Sequence, residues 1–379
     1  MKIRPTIILS AFIFILCGCI TDFNASGIDE VADILVVEGI ITDDESTVML
    51  SRSVNLNEEY FGDYYIDNAH VYVACDDGTQ WEADSSLNGT PRNGRYTIHT
   101  GLLNPDRKYR LKIEIEEVDS TGFRQTYEYC SDYSYSIKTP EIDSIFWIKR
   151  GQGQQVTVHV STHEPEGKVL FYRWSYTEDW EINSQYYVEG YPYYCWNRAS
   201  SRDLLIGSAE KTVFGKLIDI VTELSPSDRK LSVLYRITVK QNAISKRAYN
   251  YFANIKKNVE QTGSIFTPVP SELRGNITCT TDPDRPVIGY IDVSSTTQKH
   301  CYIMRRDVYE VPYSLRQECE EVLMDSLLTW YNGEIPDDYV LLYPESISPD
   351  DPILYARDQC VDCRRHGTEQ KPDDWPDNH

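Results

Sequence analysis

Cys360 and Cys363 are separated by two residues and followed directly by Arg364, Arg365 and His366. Two thiols at that spacing can carry out disulfide exchange when a neighbouring positive field lowers the pKa of one of them. The setting argues against it, because no strand–helix–strand pattern surrounds the motif and it lies near the end of the chain. A structural zinc site would need two further ligands close by, and no second Cys-x-x-Cys occurs. Structural disulfides are the expected use of both cysteines. His159 and His163 would share one face of a helix, but Gln155 to Ser161 alternates as a strand does, where the two rings would not converge. Gly151-x-Gly153 lacks the third glycine of a dinucleotide loop. No Gly-x-Ser-x-Gly elbow is present, and the acidic clusters lack calcium-loop spacing. With 59 acidic residues some pair always looks catalytic, so spacing selects none. The expectation is a non-enzymatic protein with no metal and no cofactor.

A different chemistry is written at the N-terminus. Lys2 and Arg4 precede an almost unbroken apolar run from Thr6 to Leu16, which ends in Leu16-Cys17-Gly18-Cys19. An aliphatic residue, a small residue, Gly and then Cys is the pattern of a bacterial lipobox, with Cys17 where Ala or Ser is commoner. The run has signal-peptide length and is too short to span a bilayer. Residues 1–18 are therefore expected to be a lipoprotein signal peptide. Cys19 is the expected lipidation site, where acyl chains such as palmitate would anchor the protein to a membrane. Residues 20–33 are small and polar and suit a flexible tether. Eight cysteines remain: Cys75, Cys130, Cys195, Cys279, Cys301, Cys319, Cys360 and Cys363. An even number in an exported chain reads as disulfides. Cys75 and Cys130 are alone in the first predicted domain and are expected to bond to each other.

These groups must be positioned by a chain of 379 residues with net charge −22. So acidic a surface disfavours nucleic acid, which needs clustered Lys and Arg, and also anionic lipid surfaces. Tyr occurs 28 times, with 18 Pro and 20 Gly, which fits an extracytoplasmic β protein. Short β-prone runs follow one another from Ile34 to Cys130, and Asp76-Asp77-Gly78 between two of them signals a hairpin. The fold class predicted is mainly β: an immunoglobulin-like β-sandwich over 34–138, then a larger β-rich domain over 139–366. Ile142 to Trp147 reads as the join between them. Strands of the second domain are expected at Gln155–Ser161, Val169–Tyr176, Leu204–Ile206, Leu231–Val239, Val287–Val293 and Cys301–Arg305. Two helices are expected, near 245–261 with Ser245 as cap and near 314–331 with Ser314 as cap. Residues 367–379 read as a polar, extended tail.

The stretch from Trp180 to Trp196 is unusually aromatic. Trp180, Tyr187, Tyr191, Tyr193 and Trp196 form a candidate binding surface, since Tyr and Trp dominate contact hot spots. Gly190 and Pro192 favour a loop there. The same residues would also suit a buried aromatic insertion between strands.

Several segments in order along the chain resemble a Bacteroidota outer-membrane lipoprotein family, domain of unknown function 4249. They are Ile34-Leu-Val-Val-Glu-Gly-Ile-Ile-Thr-Asp43, Ile66-Asp-Asn-Ala-His-Val71, Thr139-Pro-Glu-Ile-Asp-Ser-Ile145 and Phe171-Tyr-Arg-Trp-Ser-Tyr176. Ala248-Tyr249, Gly263-Ser-Ile-Phe266, Gly275-Asn-Ile277, Ile288-Gly-Tyr290 and Cys360-Val-Asp-Cys-Arg364 continue the series. The resemblance implies an outer-membrane lipoprotein encoded beside TonB-dependent receptors. The expected work is that of an accessory or binding component of an uptake system. Its partners would be the membrane through the lipid, a receptor barrel, or an unidentified nutrient or peptide ligand. A surface adhesion or structural lipoprotein, or a cell-surface hydrolase, are the alternatives.

Overall fold

A computed structural model describes residues 34–53, 64–84, 93–118, 121–151, 153–260, 275–308, 319–342 and 352–377. The expected signal peptide, Cys19, the tether and Ser314 lie outside these residues. Among the described residues no helix is long and apolar enough to cross a membrane.

Seven strands come first: β1 (Leu35–Ile40), β2 (Asp44–Arg52), β3 (His70–Cys75), β4 (Gln80–Glu82), β5 (Arg95–Gly101), β6 (Lys108–Val118) and β7 (Arg124–Ser131). Their period-two pattern decides which face is buried. Ser46, Val48 and Leu50 of β2, Tyr96 and Ile98 of β5, and Tyr109, Leu111, Ile113 and Ile115 of β6 all turn inward. One sheet runs β1-β2-β5 and the other β4-β3-β6-β7. That is an immunoglobulin-like arrangement with its fourth strand paired to the third. The Tyr109 hydroxyl, near the start of β6, accepts the Asn104 N–H at 2.8 Å, which is the tyrosine corner of such sandwiches. The Asp77-Gly78 hairpin forms as expected, with Gly78 at φ +93° and the Thr79 N–H donating to Asp77 Oδ1 at 2.9 Å. A two-residue β8 (Ser134–Tyr135) adds to β6.

The expected Cys75–Cys130 bond does not form; both are free thiols. Cys130 opposes Lys112, and Lys112 opposes Tyr72, three residues before Cys75. The two cysteines therefore sit two strand spacings apart and three residues out of register, about 14 Å, and on opposite faces of the sheet, beyond the ~7 Å reach of a disulfide.

The second sandwich begins at the segment expected to be a join. That segment is β9 (Ile142–Lys149), paired with β10 (Val156–Thr162). Next come β11 (Phe171–Asn183), β12 (Tyr194–Ser200), β13 (Leu205–Ser208), β14 (Leu217–Leu224) and β15 (Leu234–Ala243). Helix α1 (Lys246–Glu260) follows where the sequence places it, with the Ser245 hydroxyl accepting the Ala248 N–H at 3.1 Å. Its Ala248, Tyr251, Phe252 and Ile255 stripe packs on Phe171, Ile244 and Tyr290. The chain then returns to the first sandwich, so that sandwich is not confined to 34–138. β16 (Ile277–Cys279) pairs with β7, and β17 (Val287–Gly289) runs parallel to β1. Ile277, Cys279, Ile291 and Val293 complete the first core. The strand expected at Val287–Val293 is thus shortened to Val287–Gly289 and belongs to the first sandwich, not the second.

β18 (Thr296–Met304) closes the second sandwich, whose sheets run β14-β10-β9 and β12-β11-β15-β18. Tyr172, Trp174, Tyr176, Trp180 and Ile182 alternate along β11 to face its core, with Glu178 at the same parity accepting the buried Tyr235 hydroxyl; Tyr235, Ile237 and Val239 of β15 face it too. A short helix α2 (Arg305–Val308) follows. The last expected helix is interrupted by a strand. Among the described residues of that span, Val322 and Leu323 form strand β19 and Met324–Trp330 is helical, as α3. Leu323 holds an extended conformation as the N-cap because its strand pairs with β21 (Leu354–Arg357), which also pairs with β20 (Tyr339–Leu341). Helix α4 (Asp358–Val361) carries Cys360.

Candidate functional site

The aromatic stretch is a hairpin. Trp180 lies on β11, buried in the second core beneath Lys230 Nζ at 5.2 Å. It belongs to the packing of that core and not to any surface. Residues 184–193 form the loop to β12. Tyr187 on this loop is 71% exposed and Tyr194 at the start of β12 is 58% exposed, while Tyr191, Tyr193 and Trp196 are half-buried. The Tyr193 ring lies 6.1 Å from that of Tyr187 and meets that of Tyr194 edge-on at 4.8 Å. The exposed patch is therefore Tyr187–Tyr193–Tyr194. Tyr194, absent from the candidates picked by spacing, is one of its most accessible rings.

The loop is held from inside and from outside. Within it, the Ser184 N–H donates to Tyr193 O at 2.9 Å, the Ser184 hydroxyl donates to Pro192 O at 3.1 Å, and Gly190 takes φ +88°. From outside, the Gln185 and Tyr186 N–H groups both donate to Cys360 O, at 2.9 and 3.1 Å, and the Cys363 N–H donates to Pro192 O at 3.2 Å. The Tyr186 hydroxyl donates to Cys319 O at 3.2 Å. Val188 is buried among Cys319, Val340, Leu342, Ala356, Cys360 and Val361.

Two disulfides close the module. Cys195 bonds Cys363 and Cys319 bonds Cys360, with Cα separations of 5.6 and 5.7 Å. Each half of the Cys360-x-x-Cys363 motif therefore has a partner elsewhere, and the motif is two staples instead of an exchangeable pair. The remaining candidates, Cys75, Cys130, Cys279 and Cys301, are free thiols. Burial pushes the thiol of Cys301 up to about 12 and raises those of Cys75 and Cys130.

The C-terminal segment is a strap and not a loose tail. Trp196 and Thr368 exchange backbone hydrogen bonds at 2.8 Å, and a side chain at Gly367 would strike Trp196 O. Further along, Trp375 is buried, its indole N–H donating to Glu181 Oε2 at 3.1 Å. Arg236 donates to Asp373 O at 3.0 Å and also binds Asp179 at 2.8 Å, and Arg198 reaches the same carboxylate at 2.6 Å. Asp179 and Glu181 alternate with the core residues of β11, which puts them on the outer face that the strap covers. A lone Trp in a polar tail was the available signal for this packing.

His159 stacks on Phe146 and contacts Thr157, while His163 binds Asp143 at 2.7 Å, so the two histidines serve separate contacts. Among the described residues no group of three or more His, Cys, Asp or Glu is placed to hold a metal ion. What the hairpin offers is flat rings with polar tips on a braced support, the composition of a contact surface.

Fold and site together define a mainly β protein of two packed sandwiches with a disulfide-stapled aromatic hairpin. The chain belongs to the family described as Domain of unknown function (DUF4249), whose match covers residues 20–300. The match includes the aromatic hairpin and Cys195, while Cys319, Cys360 and Cys363 lie beyond it. No curated protein matches the chain.

Proposed function

We propose that this chain is a lipid-anchored outer-membrane protein of a Bacteroidota cell, and a non-enzymatic binding component of a TonB-dependent uptake system. The observation that carries the reading is the exposed Tyr187–Tyr193–Tyr194 patch on a loop cross-braced by two disulfides. Bracing lowers the entropy lost when such rings are covered, which favours affinity. The Leu16-Cys17-Gly18-Cys19 sequence supports the anchor, and a tether before the first strand gives the platform reach to a barrel in the same membrane. Affinity capture from detergent-solubilised outer membrane tests the reading. The wild type should retain a TonB-dependent barrel, identified by mass spectrometry. A Tyr187→Ala, Tyr194→Ala variant should lose it by roughly tenfold or more, since a central aromatic contact contributes about 2 kcal/mol. Equal capture by both proteins, or capture of no barrel by either, overturns it. For the anchor, Cys19→Ala should yield a soluble protein without lipid label.

A further inference from the structure

A cavity of about 190 Å³ opens where the two sandwiches meet α1. Its walls come from β1, β17, α1, Arg173 of β11 and the turn at Arg202–Leu204. Val36, Phe252, Ile255 and Ile288 make much of it apolar. Two polar groups in it could donate to a ligand. Arg173 is on the outer face of β11, between the core residues Tyr172 and Trp174. Its guanidinium sits 4.9 Å over the Phe252 ring, with no carboxylate at ion-pair distance; Glu38 acts on it only through space. Arg173 is half-buried, and the desolvation this entails lowers its pKa.

Tyr251 is the second. It is 6% exposed, and its hydroxyl has no hydrogen-bond partner. The Gly289 N–H acts on the phenol oxygen as a donor but makes no hydrogen bond of standard geometry with it. It could not satisfy the phenol proton in any case, since both groups are donors. A buried donor left unspent costs free energy, and native proteins keep few of them. Here a buried phenol and a guanidinium line one small apolar cavity, in a chain of net charge −22.

We propose that this cavity binds a terminal carboxylate carried on a short apolar group, with Arg173 and Tyr251 donating to the carboxylate. The volume equals that of about six waters, which suits one aliphatic or phenyl group beside the carboxylate and little more. The exposed rim carries Arg202 together with the carboxylates of Asp203 and Glu38, so the selection for a carboxylate rests on Arg173 and Tyr251 inside and not on the charge of the entrance. The same chemistry is presented by a small free acid and by the C-terminus of a peptide ending in an apolar residue. The inference does not depend on the aromatic hairpin.

Calorimetric titration of the whole soluble chain tests it, with four probes: 3-phenylpropionate, its amide, a tripeptide ending in leucine with a free carboxylate, and that tripeptide amidated. At least one carboxylate should bind, and its amide should not. Binding of the free acid alone marks a small metabolite as the source; binding of the peptide alone marks a chain terminus. Arg173→Gln should weaken the bound carboxylate at least about tenfold. Tyr251→Phe, which removes one unpaired oxygen and so leaves folding intact, should weaken it by roughly threefold to tenfold. The proposal is overturned if neither carboxylate binds at about 10 mM, if the amides bind equally well, or if Tyr251→Phe binds as the wild type does.

Discussion

Removing the Cys195–Cys363 bond should release the aromatic loop and the C-terminal strap together. The cleanest perturbation replaces both cysteines, Cys195→Ser with Cys363→Ser, which leaves no stray thiol. The sequence separation is 168 residues, for which the loop-closure relation gives about 5 kcal/mol of destabilisation. The Cys319–Cys360 bond spans 41 residues and gives about 4 kcal/mol by the same relation. The first figure changes little with the second bond intact, because the remaining closed path through Cys319–Cys360 is still over a hundred residues long. Measured losses tend to fall below such values, so about 3–5 kcal/mol is the expectation. Denaturant unfolding followed by Trp fluorescence reads the loss. Trp196 sits next to Cys195, and Trp375 lies under the strap. Hydrogen exchange across 184–193 reads the loop directly, since its Gln185 and Tyr186 amides are held by Cys360 O. A double variant that unfolds within about 0.5 kcal/mol of the wild type, with unchanged exchange in the loop, would show that the hydrogen bonds and the small Val188 core hold the module alone.

Three further outcomes follow from the charges and thiols. Denatured without reductant, the chain should show four titratable thiols among the eight cysteines after Cys19. In the native protein at about pH 8, Cys301 should resist thiol reagents, because a pKa pushed up to about 12 leaves roughly one molecule in ten thousand as thiolate; stoichiometric labelling within minutes would contradict its burial. Glu117 is desolvated, but Arg285 at 2.6 Å and Arg52 outweigh that and lower its pKa. A carboxylate with a lowered folded pKa stabilises above its unfolded value near 4.3 and loses that contribution as pH falls through the folded one. Glu117→Gln should therefore cost about 1–2 kcal/mol near pH 6 and progressively less toward pH 3, as followed by denaturant midpoints; a pH-independent cost would contradict the assignment.

The first sandwich was legible because each strand carries its own period-two signal, and because Asp77-Gly78 fixes one hairpin locally. What pairs at long range was not. β17 has the apolar run of a strand, but nothing in Val287-Ile288-Gly289 says that it runs parallel to β1, some 250 residues earlier. The α1 stripe showed at helical spacing with its Ser245 cap, whereas Val322 and Leu323, expected to be helical, are strand because they pair with Tyr355 and Leu354. The Cys75–Cys130 expectation failed for the same reason: only the strand register reveals that the two face opposite ways. In the aromatic hairpin the spacing of Tyr187, Tyr191 and Tyr193 marked the place. Which rings are exposed depends on Cys360 and Cys363, far along the chain, and so Trp180 was wrongly included and Tyr194 passed over. The polar tail hid Trp375, whose partners Glu181 and Tyr302 lie on two different strands.

The most direct test of the proposed function is photo-crosslinking in intact cells, with a photoreactive residue at Tyr187 and, as control, at Leu102, an exposed site on the first sandwich. A patch that contacts a barrel predicts a discrete adduct with a TonB-dependent receptor from position 187 and none from position 102. No adduct at 187, or equal adducts from both positions, would contradict it.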